Sequence, residues 1–191
     1  DVVVMNGRSV KNGGGIHIRN EAIVKGFRAI ISSNIAQAGG GCYVTKSSKL
    51  TLSNVTFESN VAVVSGGGVL ASDKSEVIAI NSVFFRNTAM DGGHAQVVEH
   101  SSFVATGTIF KQGNAEKKGG AIAVVTGGKF VGNISRFEKN FGVYGGALFV
   151  DGCQTFVTSC DFSQNSAGDL GYGGAIYIEK RAHVEVNNSI F

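Results

Sequence analysis

The sequence predicts an all-β chain, a parallel β-helix of about seven coils with about 27 residues in each. Three observations carry this. Glycine pairs recur, and their second members, Gly14, Gly40, Gly67, Gly93, Gly120, Gly146 and Gly174, are spaced by 26, 27, 26, 27, 26 and 28 residues. A large apolar residue follows each pair, at Ile31, Phe57, Phe84, Phe110, Phe137, Phe162 and Phe191, 17 residues on except for one interval of 16. Three positions beyond that column stand Asn34, Asn60, Asn87, Asn140 and Asn165, with Gly113 the exception. A fixed period in the twenties denotes a stack of like units, each needing its neighbours to bury a core.

Within a coil the first strand follows the glycines, as GIHI, GCYV, GVLA, HAQV, AIAV, ALFV and AIYI. Its apolar positions alternate: Ile16, Cys42, Val69, Ala95, Ile122, Leu148 and Ile176, then Ile18, Val44, Ala71, Val97, Val124, Val150 and Ile178. That is the pattern of a half-buried strand. The residues between (His17, Tyr43, Leu70, Gln96, Ala123, Phe149, Tyr177) are chemically varied and are expected to face solvent. A second strand reads KLTLS, EVIAI, SFVAT, GKFVG and HVEVN, and a third, short one ends in the Phe column. The segment from Asn to the next glycine pair varies by up to three residues and is expected to be the exposed loop.

Stacking at roughly 4.8 Å per coil gives each column a physical task. The Phe column fills the interior, each ring contributing about 1.5–3 kcal/mol of burial and some offset stacking. The Asn column is expected at a tight corner, where Asn tolerates the left-handed conformation and stacked amides bond from coil to coil. The glycine pair permits a sharp bend. The next residue stays small (Gly15, Gly41, Gly68, Ala121, Ala147, Ala175), a column that His94 breaks.

Proline is absent, as suits a chain whose N–H groups donate to the next coil. A net charge of +3 with both signs interspersed argues against a nucleic-acid partner. No apolar run approaches the ~20 residues that span a bilayer, so this segment is not expected to insert in a membrane. The chain reads as one repeat domain over 1–191, a segment of a longer β-helix or a filament protomer. It starts and stops near one phase of the repeat, with Val3 and Asn6 in the places of a Phe-to-Asn pair and Phe191 in the interior column. Neither end shows a polar cap, so coils of the same chain or of another copy are expected partners.

The repeat, GGAI at 119–122 and 173–176, GGAL at 145–148, with FESN, FFRN, FEKN and FSQN, resembles that of the chlamydial polymorphic membrane proteins and of similar surface proteins. Early coils carry GGG in place of GGA, and the likeness covers essentially all 191 residues. The resemblance implies a right-handed parallel β-helix displayed at the cell surface or outside the cell, often as an adhesin passenger, with a host receptor or surface glycan as partner. The family's outer-membrane barrel is not in this sequence.

Catalysis and cofactors are not expected. Polysaccharide-cleaving β-helices need clustered carboxylates. Asp73 and Asp151, and likewise Glu58 and Glu138, lie three coils apart, roughly 14 Å. Asp161, beside the inward Phe162, is expected to face out. His94 beside Asp91 would be half of a metal or acid–base site, but His17, His100 and His183 do not align with it. The reading preferred here is that this coil is irregular, lacking its Asn and carrying Ala95 in the core column. Cys42 is expected in the core. Cys153 and Cys160 flank a strand about 20 Å long, beyond the roughly 4.4–6.8 Å reach of a disulfide. Three sequons, at Asn54, Asn133 and Asn187, sit three or four residues before the Phe column. They are a glycan stripe in a eukaryotic host and turn formers in a bacterial one. The outward aromatics Tyr43, Phe149 and Tyr177 support an alternative, a carbohydrate-binding or polysaccharide-degrading β-helix. The favoured class is a non-enzymatic extracellular stalk, filament or adhesin.

Overall fold

Each strand pairs in parallel with its counterparts in the coils before and after it, and with nothing else. The computed structural model describes residues 2–191, so Asp1 lies outside the described residues. Four parallel sheets run along the stack. Sheet 1 follows the glycine pairs (Ile16–Ile18, Cys42–Val44, Val69–Ala71, Ala95–Val97, Ile122–Val124, Leu148–Asp151, Ile176–Glu179). Sheet 2 is the second strand, from Ile23–Phe27 to His183–Asn187, and sheet 3 holds the Phe column, from Val2–Met5 to Asp161–Ser163; both have seven strands. The described residues thus form an all-β solenoid of about seven coils.

The Phe column is the interior, as read from the sequence. Phe57, Phe84, Phe110 and Phe137 are fully buried. From Phe57 to Phe191 the rings stack at centroid spacings of 4.8, 5.1, 4.9, 4.6 and 4.9 Å, with interplanar angles of 21° or less. Phe103 and Phe130 of sheet 2 meet this stack edge-on, Phe130 lying 6.2 Å from Phe137 at 85°. Their bulk is offset within the same strands by small inward neighbours, Ala105 and Gly132. A Cβ on Gly132 would already come within 3.1 Å of the Phe130 ring.

Four expectations are corrected. The variable segment is not a loop: Ile35–Ala38, Val61–Ser65, Thr88–Asp91, Asn114–Lys118 and Phe141–Tyr144 form a fourth parallel sheet. Its pairings carry register shifts near their ends, and these absorb the length differences that read as loop variation. The middle column of sheet 1 faces solvent only in the outer coils, where His17 is exposed and Tyr43 and Tyr177 are half-buried; Leu70, Gln96, Ala123 and Phe149 are buried. The first glycine of each pair is left-handed (Gly39 at φ 62°, Gly119 at φ 61°), and the chain turns back so sharply there that the end of sheet 4 lies against the outer face of sheet 1. A Cβ on Gly39 would sit 2.9 Å from the Tyr43 Cβ.

At the Asn corner the left-handed residue is the one before Asn (Ser33, Ser59, Arg86, Lys139, Gln164), as Gln112 is before Gly113, while the Asn side chain turns inward. The opening phase also moves by one residue. Val4 pairs with Ile31, and Gly7, not Asn6, stands in the Asn column, its N–H donating to Asn34 Oδ1.

Candidate functional site

Three polar ladders close the corners. In the first, Asn34 Nδ2 donates to Asn60 Oδ1 (3.0 Å), Asn60 Nδ2 to Asn87 Oδ1 (2.9 Å), and Asn140 Nδ2 to Asn165 Oδ1 (2.9 Å). Each amide also donates backward to the sheet 3 carbonyl of the preceding coil, as from Asn60 to Ile31 and from Asn140 to Phe110. Asn34, Asn60, Asn87 and Asn140 each tie three coils and are fully buried without a lost hydrogen bond, while Asn165 bonds to the preceding coil.

The break at Gly113 is filled by His94, which is fully buried. Asn87 Nδ2 lies 3.1 Å from His94 Nδ1, and His94 Nε2 lies 3.2 Å from Asn140 Oδ1. Because Asn87 Oδ1 already accepts from Asn60, its Nδ2 must donate; Nδ1 then accepts and Nε2–H donates onward. This is a neutral imidazole continuing an amide ladder. Burial drives its pKa down to about 3, with the Asn140 and Lys111 hydrogen bonds pulling partway back. The coil is not irregular in the sense expected, since His94 replaces the missing Asn.

The other two ladders went unread in the sequence. At the corner between sheets 1 and 2, Ser48 N–H donates to Ser75 Oγ and Ser75 N–H to Ser101 Oγ. At the corner between sheets 2 and 3, Ser82 Oγ accepts from Val55 N–H, Ser135 Oγ from Thr108 N–H and Ser189 Oγ from Cys160 N–H, while the Thr108 hydroxyl in the same column donates to the Ala79 carbonyl. Cys160 is in this column and Cys153 in the Ser48 column, each thiol donating to a carbonyl two residues back (Thr158 and Asp151). Ser/Thr at a fixed phase was the signal for both. Cys42 is buried in the core, with its thiol pushed up to about 12; all three cysteines are free.

The sequon asparagines do share one corner. Asn133 and Asn187 end equivalent sheet 2 strands, in register through Thr158, and Asn54 lies one position further at φ 54°. Asn54 and Asn187 are exposed, while the Ser135 hydroxyl of the middle sequon is buried and donates to the Asn133 carbonyl.

Two carboxylates do come together, Asp151 and Glu179 in register on adjacent strands, but Lys180 Nζ lies against both, at 2.7 and 3.9 Å. Glu58 and Glu138 share a column three coils apart, and Glu138 pairs with Lys111 at 3.0 Å. Asp161 pairs with Arg136 at 3.6 Å. Among the described residues no three His, Cys, Asp or Glu side chains cluster for a metal.

The glycine corner gathers the surface aromatics. Tyr144 and Tyr172, paired across the edge of sheet 4, stack at 5.9 Å, and Tyr177 of sheet 1 lies 5.5 Å from Tyr144 and 6.1 Å from Tyr172. Phe149 stacks beneath Tyr177 at 5.8 Å, with Lys118 Nζ 4.8 Å over its ring. With Glu179 these residues line a groove of about 500 Å³. Tyr43 is not part of it; that ring lies against His17 at 4.9 Å. The sequence pointed to Phe149 and Tyr177, but Tyr144 and Tyr172 fell in the supposed loop.

At the first coil the interior is open. Val2, Val4, Ile16, Val24, Ile31 and Leu52 are among the residues lining an apolar hollow of about 360 Å³, and at the other end Phe191 and Ile190 are 64% and 71% exposed.

The coil geometry, the ringed interior and the corner ladders define a repeat-built parallel β-solenoid. Its repeat is of a known type: residues 159–179, which include Phe162, Asn165 and the Gly173–Gly174 pair, match the family model described as the Chlamydia polymorphic membrane protein repeat. No curated protein and no solved structure gives a significant match.

Proposed function

We propose that this chain is a non-enzymatic β-solenoid of the cell surface, a rod or filament that carries adhesive contacts away from the cell. The polymorphic-membrane-protein repeat supports the surface location. The observation that carries the structural role is the continuous ring stack from Phe57 to Phe191, enclosed by corners tied from coil to coil through buried amides. Distance and rigidity, rather than a reactive centre, are then what the fold supplies. Antibodies raised against this segment should label intact source cells; labelling confined to permeabilised cells would overturn the reading.

A further inference from the structure

We infer that the groove at Tyr144, Tyr172 and Tyr177 is a binding site for a neutral oligosaccharide, held against the exposed ring surface of Tyr172 and the rim of tyrosine hydroxyls. The inference stands whether or not the solenoid is displayed on a surface. Two facing columns build the site across the glycine corner. On sheet 4 the column runs Asp91, Lys118, Tyr144 and on to Tyr172. On sheet 1 it runs Ala123, Phe149, Tyr177. Aromatic residues therefore succeed one another at the coil spacing on both walls, and the groove runs along the axis, as a chain of sugars would require.

The chemistry selects the ligand. The three tyrosine centroids are only 5.5–6.1 Å apart, so the rings pack on one another and leave no cage for a quaternary ammonium ion. Lys118, already over Phe149, would repel such a cation. What remains open is ring surface, with Tyr172 60% exposed, edged by phenol hydroxyls, one ammonium and the Glu179 carboxylate. The two charges are of opposite sign and favour no net ligand charge. A sugar ring offers an apolar C–H face to a π-surface and a rim of hydroxyls that both donate and accept, which matches this lining. Phe149 is buried beneath Tyr177 and sets the floor.

The experiment is direct, because the chain has no tryptophan and four tyrosines, three of them here. Tyrosine fluorescence and saturation-transfer NMR would follow titration with cellotetraose, maltotetraose and chitotetraose, and with a heparin tetrasaccharide as the charged comparison. Saturable binding of at least one neutral tetrasaccharide is expected. It should weaken about tenfold in Tyr172→Ala, the order of one aromatic contact, and stay unchanged in Tyr43→Ala. Circular dichroism confirms the fold of each variant, and Tyr172→Phe, which keeps the ring, should retain most of the binding. Three results would overturn the inference. One is no saturable binding to any neutral probe; another is salt-sensitive binding of heparin alone, untouched by Tyr172→Ala. The third is self-association abolished by Tyr172→Ala, which would make the face a contact between copies.

Discussion

His94 fills the space that a side chain at Gly113 would take: a Cβ there would come within 2.6 Å of His94 Cδ2 and Nε2, and closer still to the Gly120 carbonyl oxygen. The two departures from the repeat are one exchange. A corner amide has been deleted from one strand end, and an imidazole from across the corner spans the gap between Asn87 and Asn140.

The exchange should be reversible. His94→Ala leaves a buried void and strips Asn87 Nδ2 of its acceptor, at a cost of about 2–4 kcal/mol. Gly113→Asn alone overpacks against the imidazole, costing about 1–3 kcal/mol. In the double variant an amide again bridges Asn87 and Asn140, so the loss in urea titrations should be smaller than the sum of the two single losses, although the Gly120 carbonyl must still give way to the new Cβ. Additive losses would show that the two sites do not trade.

Stability should fall with acid in a window set by His94. Its folded pKa of about 3 lies below the ordinary 6.5, so between those values the unfolded chain binds a proton that the folded chain refuses. Unfolding free energy is therefore full above about pH 6.5 and declines as pH falls towards 3, by about 5 kcal/mol at the limit of that shift. In the His94→Ala, Gly113→Asn variant most of this slope between pH 6.5 and 4 should vanish. An unchanged slope would assign it to other groups.

Phe110→Ala should cost about 3–5 kcal/mol, since that ring is buried within the stack. Phe149→Ala should cost about 3 kcal/mol as well, for the ring is 1% exposed although its strand position alternates outward. A loss below about 1 kcal/mol in the denaturation midpoint would return Phe149 to the solvent face that the alternation implies.

Residues 1–191 produced by themselves should form unbranched fibres at high concentration by end-to-end stacking, because a top-to-bottom contact between unlike faces does not close. Electron microscopy should show one unit per roughly 34 Å, seven steps of the coil spacing. Monodisperse monomer in sedimentation at all concentrations would remove self-stacking, leaving coils of the same chain as the remaining partner.

The interior was legible because burial there is strict: a Phe column of constant phase has one place to go. The Asn ladder was legible for the same reason, although the left-handed strain lies one residue earlier, at positions as different as Ser59 and Arg86. Sheet 4 was not, since its register shifts blur the period on which strand reading depends. The outward column of sheet 1 misled because alternation tells which side of a strand a residue takes, and not what folds back over that side. Tyr144 and Tyr172 were missed with the sheet that holds them, so only half of the groove was in view.

The ladders and sheets all bond along the stacking axis, which sets how the molecule gives way under load. Pulled from its two ends, it carries the tension through one coil's bonds after another, in series, so it yields by peeling rather than by shearing many bonds at once. Each released coil of about 27 residues would pay out roughly 90 Å of chain. A tether of this build stretches in steps and spares whatever it holds from a sudden jerk.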